Sequence, residues 1–343
     1  MAKKKILFIN HEESITGAPK VLFQLARTLK TEYDVAMLSM MKGAMHNQFE
    51  QEFQQVLYPE IPRKQQDFDF AKKLILSLNP DMVYGNTIVS HNYVNAAKTL
   101  GIANIMHIHE LEPSFRHFLS DEEIKKFHTY SDSFIAVSTE LKEYLISILC
   151  NNVTMINEFI DYNEIISMAK DYVDAPKTNV ICIGSLIKRK GPDIFYEVAN
   201  DLKQFKFTWV GGQDNNEFFK EELDNLYHLS QTNNPYPYLQ KADIFVLPSR
   251  EDPFPLVCLE AMALGKPVIA FRDSGGIHKA ISNDCGIILD EMTSAAISKA
   301  VLLLIENKNL QKKLGENGRK KVKQDYDIDK MVPKIKDVIM SAL

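Results

Sequence analysis

Two stretches of the sequence set charged side chains where a strand pattern gives way to a helix pattern. In Gly184-Ser-Leu-Ile-Lys-Arg-Lys-Gly191, the adjacent cations Arg189 and Lys190 stand between an apolar run and a helical pattern. A guanidinium, an ammonium and the free amides of a helix N-terminus suit a diphosphate. Taken alone the signal is weak, because basic loop residues are more often simply solvated. The second stretch is Leu247-Pro-Ser-Arg-Glu-Asp-Pro-Phe-Pro-Leu-Val-Cys-Leu-Glu-Ala-Met-Ala-Leu-Gly-Lys-Pro-Val-Ile-Ala270. Glu251 and Asp252 open a proline-fixed turn, a helical pattern starts near Leu256, and Glu260 falls one turn into it. Asp252 and Glu260 therefore approach one bound molecule from a loop and from a helix face. Carboxylates accept hydrogen bonds from hydroxyl groups, and free N–H groups receive phosphate oxygens. An acidic N-terminal cap would account for the carboxylates before Leu256 but not for Glu260.

Other constellations say less. His107 and His109 alternate at a strand end, so both can face one side. A metal pair would need a third ligand, and none stands at metal-site spacing; a plain core or surface histidine is the competing assignment. The four cysteines Cys150, Cys182, Cys258 and Cys285 form no CxxC pair, which points to buried thiols in a reducing compartment rather than a disulfide framework or a zinc site. With 343 residues, 45% apolar and 25% charged, the chain has material for two globular domains. A net charge of -5 gives no overall sign of nucleic acid as a partner. Ile6–Ile9 is too short for a secretion signal, and no window nears the ~20 apolar residues of a membrane span. The expectation is a cytoplasmic protein. The basic tail (Lys312, Lys313, Arg319, Lys320, Lys321, Lys323) reads first as a solvated helix face. Peripheral contact with anionic headgroups at the inner face of a membrane is the sharper alternative.

The elements that must position these residues repeat. Lys5–Ile9, Gly17 and the helical pattern Val21, Leu22, Leu25, Ala26, Leu29 make a strand, glycine loop and helix; Asn179–Ile183, Gly184, Gly191 and Ile194–Leu202 make another. Further strands are expected at 34–39, 82–84, 104–108 and 134–137, then at 205–210, 244–247, 267–270 and 286–289. Helices are expected at 69–78, 90–100, 121–130 and 139–149, then at 217–226, 256–263 and 293–306, with a last amphipathic one around Met331–Ile339. Apolar strands alternating with helices predict an α/β fold with parallel sheets covered on both faces. The aperiodic stretch 160–178 is expected to be the linker. This gives an N-terminal domain over 1–165, a C-terminal domain over 166–325 and a terminal helix over 326–343 packing back on the first.

At this point the chain resembles a known family, the retaining glycosyltransferases of family 4, or group 1, with the GT-B fold of two Rossmann-like domains facing across a cleft. The specific match is Pro248 through Ala270: an acid, seven residues, Glu260, then Ala-Met-Ala-x-Gly-x-Pro-Val, with Asp252 in the first acid's place. Gly17-Ala18-Pro19, Asn79–Val83, His109-Glu110, Ala136–Ser138, Gly211-Gly212 and Ala242–Ser249 recur at the expected places. The resemblance implies transfer of a sugar from a UDP- or GDP-linked donor to a glycan or lipid-linked acceptor, in the synthesis of cell-surface polysaccharide or lipopolysaccharide, with no cofactor and no metal. It implies that Glu260 holds the ribose hydroxyls and Asp252 the transferred sugar, helped by the backbone near Phe254, Leu256 and Val257. Arg189 and Lys190 would neutralise the leaving diphosphate, with Gly184, Ser185 and the helix behind Gly17 and Ala18 nearby. His109 would touch the sugar near its anomeric end. Acceptor-binding residues are not identifiable.

The chain departs from the family pattern at three places. Ser185 stands where many members carry Arg, Asp252 where Glu is usual, and Lys279 where Gly-Gly-x-x-Glu would put an acid after Gly275-Gly276. These departures keep alive a catalytically silent relative that binds a nucleotide sugar or a partner. A nucleotide-sugar epimerase or hydrolase of the same build is the other alternative. Asn234-Pro-Tyr-Pro-Tyr-Leu239 is expected to serve packing, and the nucleotide base to meet backbone around Leu229–Asn233.

Overall fold

The computed structural model describes residues 2–149, 153–171, 177–212 and 217–343; Cys150 lies outside them. The chain divides into two compact units, Met1–Glu158 with Ile328–Leu343, and Phe159–Asp327. The division thus falls seven residues before the expected boundary after residue 165.

The first unit runs β1 (Lys5–Asn10), α1 (Gly17–Leu29), β2 (Asp34–Ser39), α2 (His46–Glu52), β3 (Gln55–Leu57), α3 (Phe68–Leu78), β4 (Met82–Asn86), α4 (His91–Thr99), β5 (Ala103–Ile108), α5 (Glu112–Phe118), α6 (Asp121–Lys126), β6 (Ser133–Ala136), α7 (Thr139–Leu149) and β7 (Val153–Met155). The strands are parallel, in the order β3-β2-β1-β4-β5-β6-β7. Apolar side chains bury both faces: Leu7, Ile9, Leu38 and Val83 pack against Ala71, Ile75, Tyr93 and Ala97 of α3 and α4. Local signals fix the helix ends. Asp67 accepts from the Phe70 amide at 3.0 Å, Asn79 closes α3 in the left-handed region, and Ser120 with Glu123 forms a capping box on α6. The C-terminal helix Ile328–Ala342 belongs to this unit, buries Met331, Val332, Ile335 and Ile339, and pairs Lys336 with Glu32.

The second unit runs α8 (Tyr162–Met168), β8 (Thr178–Ile183), α9 (Pro192–Asp201), β9 (Phe207–Val210), β10 (Leu226–Leu229), α10 (Tyr236–Lys241), β11 (Ala242–Leu247), α11 (Leu256–Ala263), β12 (Val268–Phe271), α12 (Ile277–Cys285), β13 (Gly286–Leu289), α13 (Ser294–Glu306) and α14 (Lys308–Lys321). Its parallel sheet has the order β10-β9-β8-β11-β12-β13. The core gathers Phe195, Phe207 and Trp209, with ring centroids 5.5–5.7 Å from Phe195 and edge-to-face geometry. In each sheet the connections reverse direction between the first strand and its later neighbour, β1/β4 and β8/β11. Ligands of open parallel sheets bind beyond the strand carboxyl ends at such a switch point.

Several sequence expectations fail here. The helix expected at 217–226 is absent: turns lead into β10, which pairs with β9, while the Asn225 amide donates to the carbonyls of Ala199, Leu202 and Phe205. Those tertiary partners outweigh a helical propensity of only a few tenths of a kcal/mol per residue. The stretch taken as a linker contains α8, whose N-terminus Asp161 caps by accepting from Glu164 N at 2.9 Å. Among the described residues no helix is long and apolar enough to cross a membrane.

Candidate active site

In the second unit the two charged stretches meet at the β8/β11 switch point. The β8–α9 loop carries Gly184 and Ser185, then a short 3-10 turn Lys188–Lys190; the β11–α11 loop carries Arg250–Pro255. Four contacts sew them together. Arg250 forks onto both carboxylate oxygens of Asp193 at 2.8 and 2.7 Å and also reaches the Lys188 carbonyl at 2.7 Å. The fork holds the Asp193 carboxyl below its usual range. Arg189 donates to the Glu251 carbonyl at 2.7 Å, and the Arg250 amide donates to the Arg189 carbonyl at 2.8 Å. Gly191 makes the approach feasible: its φ is +71°, and a Cβ there would lie 2.1 Å from the Pro248 carbonyl oxygen.

The product of this stitching is an ion pair between Lys190 and Asp252, with side chains 20% and 8% exposed. Asp252 is also clamped through its backbone. Its amide donates to Ser274 O at 2.5 Å, and Gly276 N donates to Pro253 O at 2.9 Å. Gly275, at φ +145°, passes so close that a Cβ would sit 1.9 Å from the Asp252 carbonyl oxygen. Gly275-Gly276 is thus the seat of Asp252, a role invisible in the sequence because it depends on contact with a loop more than twenty residues away.

Glu260 is buried in α11 and accepts a hydrogen bond from the Tyr236 hydroxyl at 3.1 Å. Burial, reinforced by the Glu260 charge, pushes the Tyr236 phenol well above its usual range, so it stays a donor. Tyr236 sits in the Tyr-Pro-Tyr turn expected only to pack. It is buried, and Asn234 ties its turn to α8 by donating to Met168 O at 3.0 Å and Asp171 at 2.8 Å. Phe254 is buried against Tyr326, ring centroids 5.8 Å apart, and Leu256 is buried too. Val257 beside them is half-buried. α11 starts at Pro255 without a side-chain cap, and Cys258 N is engaged by Pro255 O at 3.1 Å. Gly184 turns its carbonyl inward onto Trp209 Nε1 at 3.0 Å, while Ser185 and Arg189 are exposed.

The first unit gathers its own set. α1 begins at Gly17 and Ala18 with no side-chain cap at Thr16 and no acid in its first turn. Asn86, at the end of β4, donates its amide to the Ala18 carbonyl at 3.1 Å, which orients its oxygen toward His109 Nε2 at 2.7 Å. His109 Nδ1 faces Glu158 at 2.5 Å. Because Nε2 must donate to Asn86, the contact with Glu158 carries a single proton. Burial pushes the His109 imidazole down to about 3. Both ring nitrogens of His109 are therefore engaged within this unit. His107 lies on the same face, ring centroids 4.2 Å apart, and bonds the Tyr84 hydroxyl at 2.8 Å. Among the described residues no group of three His, Cys, Asp or Glu stands together as a metal site. Glu110 accepts from the amides of Ile88 and His109 at 3.1 and 3.0 Å, and burial pushes its carboxyl up to about 7. The basic tail is partly committed: Arg319 reaches the carbonyls of Ala263 and Leu264, Lys321 that of Lys279, and Lys323 lies over the Tyr162 ring.

Sequence reasoning missed Tyr236, Asn86 and Glu158. Only the tyrosine carried a local signal, its place between two prolines.

Comparison with known proteins bears on this arrangement. The model of the glycosyl transferases group 1 matches residues 166–321, and that of glycosyltransferase family 4 matches residues 15–164. An uncharacterised glycosyltransferase of Haemophilus influenzae is 24% identical over 359 residues, spanning 98% of this chain and 100% of that protein. The N,N′-diacetylbacillosaminyl-diphospho-undecaprenol alpha-1,3-N-acetylgalactosaminyltransferase of Campylobacter jejuni is 34% identical over 159 residues, 44% of this chain and 41% of its own. Among solved structures, Anabaena HepE in complex with UDP and glucose shares the fold with a TM-score of 0.82 at 18% identity, covering 98% of this chain and 100% of that one. With a parallel Rossmann-like sheet in each unit and both halves matched in chain order, the protein belongs to the group 1 glycosyltransferases of family 4, with the α/β GT-B fold.

Proposed function

We propose that the protein transfers a hexose-type sugar, with retention of configuration and without a metal ion, from a UDP- or GDP-linked donor to a glycan or lipid-linked acceptor in cell-surface polysaccharide assembly. The observation that carries this reading is the Lys190–Asp252 pair at the β8/β11 switch point, one loop away from the buried Glu260. Breaking a sugar–phosphate bond builds negative charge on the diphosphate and positive character on the sugar. Lys190 and Arg189 supply charge for the first, Asp252 for the second, and Glu260 receives the ribose hydroxyls. The α11 amides near Phe254, Leu256 and Val257 add donors beside the sugar. Within the first unit, the start of α1 at Gly17 and Ala18 has no side-chain cap and suits an anion of its own.

In the proposed reaction the anomeric C–O bond to phosphate breaks and an acceptor oxygen bonds the same face. The acceptor's proton passes to the departing phosphate oxygen. The chain's part is orientation and charge stabilisation. The UDP in HepE and the diphospho-undecaprenol-linked acceptor in the Campylobacter enzyme's name favour a nucleotide donor and a lipid-linked acceptor. Calorimetry with UDP-, GDP-, ADP- and dTDP-sugars tests the donor side. Selective binding to one nucleotide series, lost in Glu260→Ala, is expected. Binding to none of them refutes the reading.

A further inference from the structure

A carboxylate that grips a vicinal diol must keep its plane turned to both hydroxyls. The terminal torsion of a glutamate is soft, so an unsupported side chain loses that plane easily. Glu260 is 2% exposed, and one of its oxygens receives the Tyr236 hydroxyl at 3.1 Å. Tyr236 is itself 7% exposed, set between Pro235 and Pro237, and its amide is held by Asn234 Oδ1 at 3.2 Å. Asn234 in turn is tied to α8. A rigid phenol, anchored at its backbone, thus fixes the carboxylate's rotation. Asp161 and Glu164 add negative charge around the phenol, which helps keep its proton on oxygen.

We propose that Tyr236 is a positioning residue that makes the nucleotide site selective for ribose over deoxyribose, by locking Glu260 in the orientation that accepts both ribose hydroxyls. The inference rests on the assignment of Glu260 to the ribose. With the carboxylate locked, loss of one hydroxyl removes a charge-assisted hydrogen bond at a buried acceptor. With it loose, the carboxylate can turn to the remaining hydroxyl and the penalty shrinks.

The test is calorimetric titration of the full chain with UDP, GDP and ADP and with their 2′-deoxy counterparts. It is run on the wild type, Tyr236→Phe, Glu260→Gln and the double variant. The wild type is expected to prefer the ribonucleotide by about tenfold, the step that 1.4 kcal/mol represents. Tyr236→Phe should cut that ratio to about two- or threefold, and in the Glu260→Gln background it should change nothing further. Loss of packing alone would weaken both nucleotides together and leave the ratio standing. Tyr236→Met, also without a donor, provides the same ratio if Tyr236→Phe melts early. A full ribose preference in these Tyr236 variants overturns the inference and leaves the donor site intact. Wild-type binding without ribose preference overturns the role given to Glu260, and no binding of any nucleotide overturns the donor reading as well.

Discussion

Replacing Lys190 by methionine separates two consequences of the same ammonium. Lys190 and Asp252 neutralise each other, and Asp252 is 6% exposed. Two unit charges ~4 Å apart at an effective dielectric near 20 attract by about 4 kcal/mol, and most of that offsets their desolvation. Removing one partner of a buried pair costs about 3–5 kcal/mol; here the ammonium is one-fifth exposed, so about 1–3 kcal/mol is expected for Lys190→Met. Adding Asp252→Asn removes the orphaned charge and should recover most of that loss. Nucleotide binding should not follow the same course. If Lys190 is a phosphate ligand, Lys190→Met weakens nucleoside diphosphate binding by about 10–100-fold, the range for one charge-assisted hydrogen bond, and the double variant stays weak. Asp252→Asn alone frees Lys190 from its counter-ion, so the nucleoside diphosphate should bind up to about tenfold tighter, while the extra affinity of the nucleotide sugar disappears. Urea unfolding measures the first effect and calorimetry the second. Diphosphate affinity within about twofold of wild type in Lys190→Met would falsify the assignment of the ammonium to the leaving group.

Two more perturbations probe the frame around that pair. Gly275→Ala puts a methyl group where only 1.9 Å separates it from the Asp252 carbonyl, at a φ that L-residues rarely adopt. A loss of about 2–4 kcal/mol is expected, together with a selective drop in nucleotide-sugar over nucleotide affinity; a variant with wild-type melting and binding would show that the seat of Asp252 is not where the structure has it. Glu110→Gln tests the first unit. Its carboxyl binds a proton more tightly folded than unfolded, between its ordinary 4.5 and about 7, so its contribution to stability is present below pH 4.5 and lost as pH rises through 7. Relative to wild type, the glutamine variant should gain about 3 kcal/mol between those pH values, read from urea midpoints. A constant difference across that window would rule the shift out.

Much of the fold was legible because its signals are local. The strand at 34–39 and the helix at 256–263 fall where apolar runs and helical spacing put them, and a glycine follows each opening strand in the loop before its helix. The failures are where tertiary partners decide. Residues 217–225 have helical composition, yet Asn225 spends its amide on three carbonyls of the α9–β9 connection and the chain turns instead. Short elements such as β3 and β7, three residues each, carry too few positions for any period to show.

The site divides along the same line. Asp252, Glu260 and Lys190 could be singled out because their side-chain types state their chemistry. What holds them could not. Lys190 finds Asp252 from 62 residues away, Glu260 finds Tyr236 from 24, and His109 finds Glu158 from 49. None of these supporting partners has a fixed offset, since each arrives on a different strand connection of a doubly wound sheet. A carboxylate buried to a few per cent must nevertheless have such a partner, because an unpaired one would carry several kcal/mol of desolvation. If Glu260 belongs in a buried cleft, some donor must meet it, and Tyr236 in the Asn234–Leu239 stretch is the one this chain supplies. Asp252 meets the same demand: Lys190 pairs with its carboxylate, and Ser274, Gly275 and Gly276 hold the backbone of its loop.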